Sequence, residues 1–128
     1  MNGRKIVTFS AWNDGGYIGL AQILMQLGDL GSNLLWFCDI EELAPEPHDP
    51  GLDDITPGDG ISTLELLRLV APDKQVIDGR FTGFPPGEAE AALVITAVDS
   101  SEWEIETGSL ILIQRWTAAY PDVTVSCG

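Results

Sequence analysis

The chain has 128 residues, 45% of them apolar, and twenty Asp and Glu face six Lys and Arg for a formal net charge of -14. That length suits one domain able to bury roughly two-thirds of its unfolded surface without a disulfide or structural metal, and the apolar fraction excludes a disordered chain. The charge disfavours nucleic acid and anionic membrane as partners and favours basic proteins and cations.

Residues 4–9, RKIVTF, predict a first strand, with Ile6, Val7 and Phe9 supplying β-propensity and NDGG at 13–16 supplying a turn. The same N-terminal stretch has no apolar segment of signal-peptide length, and no run in the chain approaches the ~20 apolar residues of a membrane span. A soluble, cytoplasmic protein is therefore expected. Around the turn stand Trp12 and Tyr17; a loop aromatic is a residue type favoured at protein interfaces, so Trp12 is a candidate anchor. Tyr17, Leu20, Ala21, Leu24 and Leu27 recur at helical spacing and predict a helix over 16–27, closed by Gly28.

NLLWFCDIEEL at 33–43 predicts a strand that is apolar on both faces from Leu34 to Cys38, hence central in its sheet. Cys38 reads as a reduced core residue, and Cys127 lies next to the end; two cysteines make no disulfide framework. The segment at about 44–60 carries four prolines and three glycines and predicts a long acidic loop. From Ile6 to Leu67 there is no Lys or Arg, while Asp39, Glu41, Glu42, Glu46, Asp49, Asp53, Asp54 and Asp59 fall within 21 residues. Such a region is either solvated or a docking surface for a cationic partner. Its spacing fails the EF-hand calcium loop, leaving at most a weak, opportunistic calcium site, so no metal or other cofactor is expected. His48, the only histidine, lies in this loop.

Ser62 and Glu65 match a capping box opening a helix over 63–70, with Leu64, Leu67, Leu66 and Val70 as its stripe. KQVIDGRFTGF at 74–84 predicts a strand, bulged or turned at Asp78–Gly79. Strands follow at 91–98 and 102–107, joined by a turn at Asp99, Ser100 and Ser101. Ser109 caps a last helix in which Leu112, Trp116, Ala119 and Tyr120 share a face; Pro121 stops it, and VTVSC adds a final strand.

These elements predict a single α+β domain over 1–128: a mainly antiparallel sheet of about five strands with two to three helices packed on it. The expected core comprises Ile6, Phe9, Leu35, Phe37, Leu64, Leu67, Leu93, Ile95, Trp103, Ile105 and Trp116. The strand DSSEWEIE then alternates, so Trp103 and Ile105 face inward while Glu102, Glu104 and Glu106 share the outer face about 7 Å apart. A half-buried strand explains that alternation without any function. A single-sign row is nevertheless a candidate surface for a basic protein, because like charges repel and neutral residues would solvate the face equally well.

No P-loop, dinucleotide fingerprint or HExxH motif is present. The reading favoured by class is a non-enzymatic binding domain, an inhibitor or immunity protein of a basic toxin or nuclease, acting as monomer or homodimer. Its partner-binding residues would come from Asp39, Glu41, Glu42, Asp53, Asp54 and Asp59, or from Glu102, Glu104 and Glu106, with Trp12 or Trp36 as an aromatic anchor. The rival readings are a small enzyme or ligand-binding domain with a pocket near Asp78, Arg80, Asp99 and Ser100, and a structural or oligomeric accessory domain.

Overall fold

A computed structural model describes residues 4–13, 16–44, 60–70, 75–99 and 101–127. The elements are β1 (Lys5–Ser10), β2 (Trp12–Asn13), β3 (Gly16–Tyr17), α1 (Leu20–Leu27), β4 (Leu35–Ala44), β5 (Ile61–Ser62), α2 (Thr63–Val70), β6 (Gln75–Phe84), β7 (Leu93–Val98), β8 (Glu102–Thr107), α3 (Leu110–Ala119) and β9 (Thr124–Cys127). Seven strands form one antiparallel sheet in the order β5-β4-β6-β7-β8-β1-β9, and β2 and β3 form a separate small hairpin. The α+β class holds; the sheet has seven strands where about five were expected. Of the two edge strands, the four-residue β9 is the final strand expected at VTVSC, and the two-residue β5 was not expected.

Registers across the sheet fix which residues share a face. Trp36 opposes Gly83, Phe81 opposes Ile95, Ala97 opposes Trp103, and Val7 and Phe9 oppose Ile105 and Trp103. All of these form a buried core with Leu20, Ile23, Leu24 and Leu27 of α1, Leu66, Leu69 and Val70 of α2, and Leu112 and Trp116 of α3. The three α-helices therefore all contribute to the core on one face of the sheet, as an amphipathic helix layer requires.

The three buried tryptophans fasten the layers. Burying an indole without a partner for its N–H is costly. Trp36 Nε1 donates to Thr63 Oγ1 at 2.8 Å, Trp103 Nε1 to the Ile18 carbonyl at 2.7 Å, and Trp116 Nε1 to Gln26 Oε1 at 3.0 Å. Sheet is thus bound to α2, sheet to the approach of α1, and α3 to α1. Trp36 also explains a glycine inside a strand, because a Cβ at Gly83 would sit 3.1 Å from its ring.

Several expectations are corrected. The first helix begins at Leu20, after the uncapped Gly19; Tyr17 belongs instead to β3, paired with Trp12. Tyr17 stands too far N-terminal because Ile18 N–H donates to the Ala11 carbonyl, closing the hairpin before the helix opens. In α2, Leu64 is 75% exposed and Leu66, Leu69 and Val70 face the core. The Thr63 hydroxyl, held by Trp36 and the Gly31 carbonyl, sets that rotation. The Ser62 cap forms, accepting from Glu65 N–H at 3.1 Å, but the Glu65 carboxylate turns to Arg68. On β4 the inner residues are Trp36 and Cys38, with Leu34 buried just before the strand, so Leu35 and Phe37 lie on the opposite face, as does Ile6 of β1. β4 is flanked only by β5 on its outer side, and β7 takes the central position. The bulge expected near Asp78–Gly79 is present: Gly79, Asp78 and Val76 meet Ile40, Glu42 and Leu43, which leaves Glu41 as the extra residue on β4 and Ile77 on β6.

Candidate interaction face

No described helix covers the second face of the sheet, and its surface follows from the same registers. On β8 the outer residues are Glu102, Glu104 and Glu106. Beside them on β1 lie Ser10, Thr8 and Ile6, and on the other side, on β7, lie Val98, Thr96 and Val94. Farther along are Arg80 and Thr82 of β6, opposite Asp39 and Phe37 of β4, and then Leu35 opposite Phe84.

The three glutamates therefore share one face and one row, as their alternation predicted. Glu106 is partly compensated, with Arg4 Nε 3.6 Å from its carboxylate and Arg4 Nη1 donating to the Ala91 carbonyl. Glu102 and Glu104 make no ion pair within 4 Å among the described residues. Glu104 and Glu106 line a shallow depression of about 240 Å³ with Ile6, Arg80, Val94 and Thr96. Arg80, Glu104 and Glu106 thus line one depression on this face, with no ion pair within 4 Å between Arg80 and either glutamate among the described residues.

A second depression of about 330 Å³ lies at the β4–β6 end of the same face. Leu35, Phe37, Phe84, Pro85 and Pro86 line it, with Glu88 as the one charged group. Phe37 and Phe84 meet edge to face at 5.6 Å between ring centroids, a favoured aromatic geometry. This feature went unread in the sequence, although its signal was there: the double-sided apolar run Leu34 to Cys38 arises because Leu35 and Phe37 floor this hollow.

The other candidates separate. Asp39 is exposed on the open face, in register with Arg80. Glu41 and Glu42 belong to β4 by backbone, and their side chains lie outside the described residues, as do Asp53, Asp54, Asp59, His48 and Ser100. Trp12 is 49% exposed in the β2–β3 hairpin, tilted against Tyr17 at 5.3 Å. Trp36 is fully buried and cannot act as an anchor. Asp78 Oδ1 accepts from Asp99 N–H at 3.0 Å. That bond supports the turn in which Asp99 takes φ 55°, a left-handed conformation that Asp tolerates better than most residues. Asp78 thus has a structural role here, and Arg80 faces Glu104 and Glu106.

No family model, curated protein or solved structure matches the chain. The reading of this face rests on its own chemistry. Among the described residues, no cluster of His, Cys, Asp or Glu could hold a metal ion, and no helix is long and apolar enough to cross a membrane.

Proposed function

We propose that the chain is a non-enzymatic protein-binding domain of inhibitor or immunity type, and that the sheet face bearing Glu102, Glu104 and Glu106 docks on a basic protein. The observation that carries this reading is the row Glu102, Glu104 and Glu106 on a face that no described helix covers. A sheet face offers broad area, as a protein partner requires, and a net charge of -14 steers cationic surfaces toward it. A basic toxin or nuclease fits that chemistry as partner class.

Affinity capture from the native cell tests the reading with two baits: the full chain, and a variant carrying Glu102→Lys, Glu104→Lys and Glu106→Lys. The expected result is a basic protein retained by the first bait and lost from the second. Retention by both, with loss on reversing Asp53, Asp54 and Asp59 instead, would move the site to the acidic loop. Retention that is indifferent to both sets would end the charge argument.

A further inference from the structure

The hollow formed by Leu35, Phe37, Phe84 and Pro85 is an unusual feature for a wet sheet face. Leu35 is 44% exposed, and Phe37 and Phe84 are partly open to solvent with their rings already packed together. At about 330 Å³ it stands at the small end of ligand pockets. Small-molecule sites add convergent polar groups to an apolar lining, and Glu88 alone is charged here. One apolar side chain of a protein partner fits this lining better. A second copy of the chain is disfavoured as occupant, since it would bring another net charge of -14 to a rim that already holds Glu88 and, one strand position beyond Phe37, Asp39.

We infer that this hollow receives a single aromatic or aliphatic anchor from the basic partner, flanked in that partner by Lys or Arg. The inference rests on the binding reading above and adds what the partner must carry. From β6 to β8 is two strand spacings, about 10 Å, and from β4 three, about 14 Å. A partner segment of about four extended residues spans that gap. It places an apolar side chain against Leu35, Phe37 and Phe84 while its cations meet Glu104 and Glu106. Interface energy concentrates in such desolvated pockets, with charged rims governing approach.

The test is selection of a random peptide library on the full chain at physiological salt, followed by titration of the enriched peptides against variants. The expected sequences combine one Trp, Phe or Leu with neighbouring Lys or Arg. Their Kd should weaken at least about tenfold with Phe84→Ser, and likewise with Leu35→Ser, whose exposed position keeps the test valid if Phe84→Ser fails to fold. Basic peptides with no apolar preference, insensitive to both serine variants yet lost on reversing Glu102, Glu104 and Glu106, would overturn the anchor and leave the binding reading standing. Enrichment of no basic peptides would overturn both.

Discussion

Trp103 shows how much one side chain carries. It is fully buried, opposed by Phe9 and Ala97, and its N–H donates to the Ile18 carbonyl. Trp103→Ala leaves a cavity and an unpaired carbonyl, and should cost about 3–5 kcal/mol in urea unfolding. Leu64→Ala, at a helix position 75% exposed, should stay within about 0.5 kcal/mol. A second residue-scale expectation concerns alkaline pH. Burial pushes the Tyr17 phenol from its ordinary 10.0 up to about 12, and burial pushes the Cys38 thiol from 9.0 up to about 12. Tyr120 is raised by burial as well. In each case the unfolded chain loses its proton first. The stability these groups contribute is thus complete below about pH 9 and is lost as pH rises toward 12. Urea midpoints across that window should fall, less steeply in Tyr17→Phe; a Tyr17→Phe profile identical to the parent would contradict the assignment. For the same reason Cys127, exposed on β9, should be alkylated in the native protein while Cys38 reacts only on unfolding.

At the scale of elements, α3 shows what local sequence can specify. Ser109 accepts from Leu112 N–H at 3.3 Å and caps the helix, and Tyr120 N–H returns to the Trp116 carbonyl at its end. Ser109→Ala should cost about 1 kcal/mol, measured by urea unfolding; no change would mean the cap is idle. β7, β8 and α3 were legible because strict alternation and a capping serine are local signals. β8 was read with its bounds, faces and glutamate row intact. β4 was misread because its orientation depends on distant partners: Gly83 making room for Trp36, and Thr63 accepting its N–H. Leu64 was misplaced for the same reason, since the Thr63 contacts fix the helix rotation. The edge strand β5 holds two residues, too few for periodicity to mark, whereas the four-residue β9 was legible from the β-branched residues that follow Pro121. The apolar hollow joins Leu35 to Phe84 across a strand pairing that no local window contains.

The whole molecule has two unlike faces. One is sealed by three helices over a continuous core; the other presents a glutamate row, a central Arg80 and an aromatic hollow. The inner face sets stability, and on the proposed reading the outer face carries binding, so substitutions there should act on association more than on folding. Charge reversal at Glu102, Glu104 and Glu106 gives up the Arg4–Glu106 ion pair and should therefore cost no more than about 1 kcal/mol in unfolding while altering association. The most direct measurement is the association rate of the captured partner as a function of salt, with the parent chain and with that triple reversal. Screening shortens the Debye length from about 30 Å at 0.01 M to about 10 Å at 0.1 M. The parent rate should fall steeply over that range, and the triple variant should associate slowly with little salt dependence. Equal rates for both proteins, unaffected by salt, would contradict the open acidic face as the docking surface.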